Sequence, residues 1–392
     1  MATPAGRAAP LRGAALGEVE VLDQAYVLCE DGRVAAVGQM ADLAPFDGEV
    51  VELDGRGRCA LPGLVDCHTH ACFAGDRVDE FELRAKGASY EEIHAAGGGI
   101  LSTVRATRAA GESGLREAVE RHRRSMLSAG TTTFEAKSGY GLDRDTELAS
   151  LEAIREAGGV PTWLGAHAVP QEFESADAYL DFALADVLPR AAQVAEAADV
   201  FLERGAFDVA QARRFLEACG ERGLALRLHG DQFTEAGAVP LAIELEARSI
   251  DHLEATGSEG VRALAASDVV AVLLPISALF LGRSMPPGRA LVDAGSAVAL
   301  ATDFNPGSAF CESLPLVCSV ACTQLRLSPA EALAACTVNA AHVLGRSDRK
   351  GRLAPGYDAD VVLLDAPDWR YLAYHMGAPI VSEVVCAGVR AS

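Results

Sequence analysis

A chain of 392 residues, half of them hydrophobic and 38 of them glycine, has enough material for one large domain and a smaller one around a buried core. Its net charge of -21 argues against nucleic acid or an anionic membrane as a partner, because either polyanion would be repelled. Ten cysteines without a repeating spacing or a Cys-x-x-Cys pair indicate neither a disulfide framework nor a zinc ribbon, and fit a reducing, cytoplasmic setting.

Met1 to Leu16 is rich in Ala, Arg, Gly and Pro and lacks a continuous apolar core, so it reads as a loose leader and not as a secretory signal. From Val19 to Leu53 short alternating strands are separated by turn residues, among them Asp31-Gly32, a dipeptide suited to a tight hairpin. The far end of the chain is similar, with strand-like runs over Ala359 to Leu364 and Ile380 to Val385. Two such segments predict a small β-sandwich built from both termini, residues 1–62 and 351–392.

Between them, residues 63–350 alternate apolar strands with helical stretches, the signature of parallel βα units. The predicted strands are Leu64 to Cys67, Thr131 to Ala136, Thr162 to Ala166, Asp199 to Leu202, Leu224 to Leu228, Ser249 to Asp251, Val269 to Leu274 and Ala297 to Ala301. Helices are expected over Leu115 to Leu127, Thr146 to Glu156, Ala210 to Arg222 and Pro329 to Leu344. Eight strands with helices in the gaps predict an α/β fold of the (β/α)8 TIM-like barrel type, whose reactive residues sit at the C-terminal strand ends. The longest apolar stretch, Val269 to Gly282, contains Pro275 and is too short to span a bilayer.

The polar residues obey that expectation. Leu61-Pro62-Gly63-Leu64-Val65-Asp66-Cys67-His68-Thr69-His70 ends an apolar run in two histidines two residues apart, which an extended strand points to the same face. Alone, such a pair reads more readily as two hydrogen-bonded histidines at a strand end than as metal ligands. The third strand, however, ends at His167, the fifth at His229, the sixth at His252 and the eighth at Asp303. His122 and His342 lie in helical stretches and read as surface or packing residues, while His94 and His375 fall outside the strand pattern. Imidazoles with one carboxylate suit one zinc or iron ion, divalent or trivalent, and His68, His70, His229 and Asp303 are the expected ligands. A metal with an open position activates water, so hydrolysis is the expected use. Asp303 is also placed to accept the water proton, and His252 either to polarise the substrate and relay a proton or to orient a ligand.

The segment around His68 and His70, together with Gly75-Asp76-Arg77, Glu80 to Arg84, Gly97-Gly98-Gly99-Ile100, Thr103 to Arg108, Lys137-Ser138-Gly139-Tyr140-Gly141, Gly165 to Pro170 and Thr302 to Ser308, resembles the amidohydrolase superfamily. Within it the resemblance is to the branch that opens the ring of 4-imidazolone-5-propanoate with water to give N-formimidoyl-L-glutamate, the third step of histidine degradation. It implies a small-molecule substrate and a homodimeric assembly. By matching position, Arg77, Tyr140 and His167 would contact substrate, with Asn305, Gly307 and Ser308 forming a wall beside Asp303. An arginine fork suits a propanoate carboxylate; the competing reading for Arg77 is a loop salt bridge with Asp76 or Asp79.

One position departs from that family's pattern. After His229 the chain reads Gly230-Asp231-Gln232, where the family often has Glu in the last place. Gln232 can only hydrogen-bond, so its expected role is to orient the substrate ring while Asp303 and His252 move protons. The fourth strand is followed by Glu203-Arg204, with no lysine to bridge a second metal ion, whereas Lys137 ends the second strand and reads as a supporting residue. The alternatives are another cyclic amidohydrolase or a deaminase on the same barrel, and a catalytically silent scaffold.

Overall fold

A computed structural model describes residues 1–6, 8–45, 50–88 and 98–391; His94 and Gly97 lie outside the described residues. Eight parallel strands form one sheet: β1 (Leu64–Asp66), β2 (Thr131–Lys137), β3 (Val160–Ala166), β4 (Ala197–Leu202), β5 (Ala225–Gly230), β6 (Ser249–His252), β7 (Val270–Leu273) and β8 (Val298–Leu300). They pair in chain order. Strands β3, β7 and β8 are buried at every residue, as parallel strands covered on both faces must be.

The sheet closes just beyond its first and last strands. Thr69 bridges Phe304 in parallel register, the Asp303 N–H donates to the His68 carbonyl at 3.0 Å, and the His70 N–H donates to the Phe304 carbonyl at 2.9 Å. The seam of the barrel therefore carries three of the polar residues singled out in the sequence.

Helices cover the outside, including Arg144–Glu156, Val209–Gly220, Ser258–Ala265 and Leu314–Gln324. Their starts follow from capping. Asp143 accepts from the Thr146 N–H, Asp208 and Gln211 form a capping box, and Ser313 precedes Pro315 in the first helical turn, a residue whose missing N–H costs nothing there. The predicted helix from Pro329 to Leu344 is three consecutive pieces, with a wider turn over Ala335–Asn339.

Residues from both ends build the smaller β layer. Cys59–Pro62 pairs antiparallel with Val361–Leu364, which pairs with Val381–Cys386 and that with Val389–Arg390. Leu353, Val361 and Val385 pack with Met1, Val27, Leu53 and Ala60 in one apolar cluster. Asp31 and Gly32 turn the hairpin between Ala25–Glu30 and Arg33–Gln39 with φ of 49° and 76°, the left-handed pair that a two-residue turn of matching twist requires. Where the chain passes into the barrel, a Cβ on Gly63 would stand 2.1 Å from the Thr132 hydroxyl, so the Pro-Gly step is a close backbone approach.

The loose leader expected over Met1 to Leu16 is corrected. Ala2–Pro4 pairs with Val19–Val21, and Leu11 and Leu16 are buried in the main core. Asn339 locks the segment: its Oδ1 accepts from the Leu11 N–H at 2.7 Å, and its Nδ2 donates to the carbonyls of Leu11 and Val298 at 2.9 and 2.8 Å. Such anchoring satisfies the backbone groups of an irregular buried segment. No helix among the described residues is long and apolar enough to cross a membrane.

Candidate active site

The C-terminal strand ends converge. Nε2 of His68 and Nε2 of His70 each lie 3.5 Å from Oδ1 of Asp303, and Nε2 of His229 lies 3.3 Å from Nε2 of His70. Two groups of donor atoms are close enough to hold one ion, His68 with His70 and Asp303, and His68 with His229 and His252. All are buried. Asp303 and His252 have φ of 55° and 84°, backbone states that cost free energy in a non-glycine residue and persist where surrounding contacts hold them.

Carboxylates behind the imidazoles set the ring tautomers. Nδ1 of His68 donates to Oδ2 of Asp251 at 2.5 Å, and Nδ1 of His229 donates to Oδ1 of Asp199 at 3.0 Å, which leaves Nε2 of each ring as a lone pair facing inward. Burial, then the charges of nearby groups, holds His68 and His70 well below the usual imidazole range, so both rings are neutral donors. Nε2 of His68 has no hydrogen-bond partner among the described residues although it is buried, a position that an unliganded nitrogen occupies only at a cost. Three imidazoles, one carboxylate and an unsatisfied lone pair fit a single divalent metal ion.

His252 stands beside this group, its ring centroid 5.3 Å from that of His229 and 5.8 Å from that of His68. Its Nδ1 lies 3.4 Å from Oε1 of Glu254. Burial opposes its protonation, but Glu254, Asp303 and Asp251 outweigh it and hold the imidazole above its ordinary range. Asp303 is raised as well, by burial above all. The pair has a carboxylate readier than usual to take a proton and an imidazole readier than usual to keep one.

The predicted substrate-side residues line the same end of the barrel. Tyr140 is buried with its ring 5.8 Å from His70 and 5.3 Å from His167, and burial keeps its phenol neutral. Its loop is folded around Glu147, whose carboxylate accepts the N–H groups of Gly139, Gly141 and Leu142 at 3.0, 2.8 and 2.9 Å. His167 donates from Nδ1 to the Gly139 carbonyl at 2.9 Å, which turns the opposite ring nitrogen away from that loop. Asn305 organises the wall beside Asp303. Its Nδ2 donates to the Asp303 carbonyl at 2.6 Å, and its Oδ1 accepts from the N–H groups of Gly307 and Ser308, both at 2.8 Å. Gln232 is half-buried two residues beyond β5.

Arg77 forms a loop ion pair, but its partner is Glu80 and neither Asp76 nor Asp79. Nε and Nη2 of Arg77 reach the two Glu80 oxygens at 2.7 and 2.6 Å. Glu80 also accepts from Arg84 at 3.2 Å and from the Gly99 N–H at 2.8 Å. Two guanidinium groups, those of Arg77 and Arg84, thus share one carboxylate. His122 is not on the surface: it is buried, stacks on Phe73 at 4.6 Å and meets the Ala71 carbonyl through Nδ1 at 2.8 Å.

Sequence reasoning missed Asp199, Asp251, Glu135 and Glu254. Asp199 did carry a signal, since it interrupts an otherwise apolar, largely buried strand where a charge needs a partner, whereas Asp251 stands in the polar run Ser249-Ile250-Asp251-His252 and carries no such mark.

The pattern of the amidohydrolase family matches residues 59–390. Over nearly its full length the chain is similar to curated relatives: an imidazolonepropionase of Rubrobacter xylanophilus, 62% identical over 97% of this chain and 94% of that protein, and imidazolonepropionases of Chloroflexus aggregans, 48% identical over 99% and 95%, and Deinococcus radiodurans, 46% identical over 100% and 97%. Among solved structures it has the fold of a guanine deaminase of C. acetobutylicum, with a TM-score of 0.74, 14% identity and coverage of 97% and 98%. It also shares the fold of an adenosine deaminase of Xanthomonas campestris with bound zinc, with a TM-score of 0.67, 19% identity and coverage of 96% and 89%. The chain belongs to the amidohydrolase family, and within it to the imidazolonepropionases.

Proposed function

We propose that the protein hydrolyses 4-imidazolone-5-propanoate to N-formimidoyl-L-glutamate, with His68, His70, His229 and Asp303 holding one zinc or iron ion. The observation that carries this reading is the convergence of those four side chains at the C-terminal strand ends, with Asp303 beginning the loop whose Gly307 abuts the cationic Arg77. When bound, the ion supplies Lewis acidity toward water and the substrate oxygen.

The chain's own residues account for the remaining steps. Arg77 and Arg84, sharing Glu80, attract the propanoate carboxylate. Tyr140, His167 and Ser308 offer donors or acceptors on the walls, and Gln232 hydrogen-bonds the ring. Asp303 takes the proton of the attacking water. As the water oxygen adds to the carbonyl carbon and the ring C–N bond breaks, His252 returns a proton to the departing nitrogen. Gln232 cannot do so, and replacing it with Ala should raise KM or lower kcat while metal binding persists; unchanged kinetics would remove it from the site.

The test is incubation with imidazolone propanoate, following loss of its ultraviolet absorbance and appearance of formimidoylglutamate, with His229→Ala as control. No turnover by metal-replete protein would refute the substrate, and turnover with release of ammonia alone would favour a deaminase. Metal analysis decides between zinc and iron, since this donor set suits both. The ten free thiols support a reducing, cytoplasmic location. A homodimer is the assembly we expect, to be read from the mass in solution.

A further inference from the structure

Below the candidate metal ligands lies a charged layer that the reaction does not use. Lys137, at the end of β2, is fully buried. Its ammonium lies 2.7 Å from Oε1 of Glu135, 2.8 Å from Oδ2 of Asp199 and 3.9 Å from Oδ2 of Asp251. Arg227, also buried, reaches Oε1 of Glu135 at 3.1 Å. Two cations thus face three carboxylates with no water-exposed group among them. Alternate strands of such a barrel fill its interior in layers, and β2, β4 and β6 bring Lys137, Asp199 and Asp251 to one level.

We infer that Lys137 is a positioning residue that fixes the two aspartates holding His68 and His229, and so couples two metal ligands from opposite sides of the barrel through one ammonium. Asp199 grips His229 Nδ1 with one oxygen and Lys137 with the other, so it cannot rotate without losing one of them. Asp251 uses a single oxygen, Oδ2, for His68 at 2.5 Å and for the distant edge of Lys137 at 3.9 Å. Without the ammonium, Asp199, Asp251 and Glu135 would repel one another in a dry interior, where such repulsion is poorly screened. Relief by rotation would release the Nδ1 hydrogen bonds that keep both Nε2 atoms aimed inward. An ordinary core lysine would instead be expected to reach solvent with its head group; this one does not.

The inference rests on the proposed ligand set, and the experiment separates the two. Lys137→Met, Lys137→Gln and His229→Ala are prepared in the full chain, and zinc affinity is measured by competition with a chelator. Removing a group that orients ligands through their outer nitrogens weakens metal binding by about 10–100-fold, and both Lys137 variants should show it. Because Lys137 acts through the aspartates, its effect should be non-additive with Asp199→Asn in a double-mutant cycle. Affinity within twofold of the parent, or additive losses, overturns the inference. If His229→Ala binds zinc as the parent does, the ligand set itself fails; if it loses zinc while Lys137→Met keeps it, only the role of Lys137 fails. Should neither Lys137 variant fold, the parent labelled with 15N-lysine decides. Its one buried ammonium resonance should shift when zinc is withdrawn, and a resonance indifferent to the metal overturns the inference.

Discussion

A Cβ placed on Gly307 would stand 2.0 Å from Nη1 of Arg77. The glycine is therefore the surface against which the guanidinium rests, and its conformational freedom is not the point. Gly307→Ala should push Arg77 off that surface, and the two hydrogen bonds to Glu80 prevent it from moving aside cheaply. Hydrogen bonds to charged groups contribute about 1.5–3 kcal/mol, so we expect KM for imidazolone propanoate to rise roughly tenfold or more, with each tenfold matching about 1.4 kcal/mol. Metal content should stay at the parent value. An unchanged KM would separate Arg77 from the substrate carboxylate.

Glu254 is the second test. Its Oε1 faces Nδ1 of His252, its Oε2 is buried without a hydrogen-bond partner among the described residues, and it is the largest influence holding the His252 imidazole up against burial. Glu254→Gln keeps the shape and removes the charge. The limb of the kcat/KM profile that belongs to His252 should move to lower pH, because the imidazolium loses its counter-charge. With general acid catalysis typically contributing 100-fold or more, kcat should fall by about tenfold at least. A profile that stays in place would mean that another group titrates there.

How much of this was legible in the sequence depends on the range over which each signal acts. The His68 and His70 pair, the histidines and aspartate at the strand ends, and the turn at Asp31-Gly32 are local patterns, and each lies where its spacing indicates. What Asp199 and Asp251 hold could not be read from the sequence, because their partners are His229, His68 and Lys137, which are remote in the chain and meet only when the barrel closes. Glu80 was overlooked for the opposite reason. It sits one helical turn from Arg77, but its neighbours Asp76 and Asp79 are equally acidic, and only the helix beginning at Val78 brings position 80 and not 79 under the guanidinium.

The first residues went wrong because their apolar side chains follow no period. Ala2, Leu11 and Leu16 are spaced irregularly, yet each is buried, and Asn339 supplies the backbone partners that a strand or helix would have supplied. Leu16→Ala should then behave as a core truncation, costing about 2–5 kcal/mol of stability, read from denaturant unfolding of the metal-loaded protein. A loss below about 0.5 kcal/mol, the usual range for surface positions, would restore the picture of a loose leader.

His122 offers a pH test away from the proposed ligands. It is held between Phe73 and Phe304 with ring centroids 4.6 and 5.1 Å away, and burial lowers its pKa below the ordinary 6.5 despite the Ala71 carbonyl. The unfolded chain therefore takes a proton at His122 before the folded one does. Its contribution to stability is complete above about pH 6.5 and is lost as pH falls toward the depressed folded value, at up to about 1.4 kcal/mol per pH unit. His122→Gln can still donate to the Ala71 carbonyl and has no titration of its own. The parent and the variant should therefore differ in the slope of stability against pH just below 6.5, with the parent steeper, and run parallel above it. Unfolding curves at a series of pH values measure this directly, and equal slopes on both sides would show that His122 is protonated in the folded chain as readily as in the unfolded one.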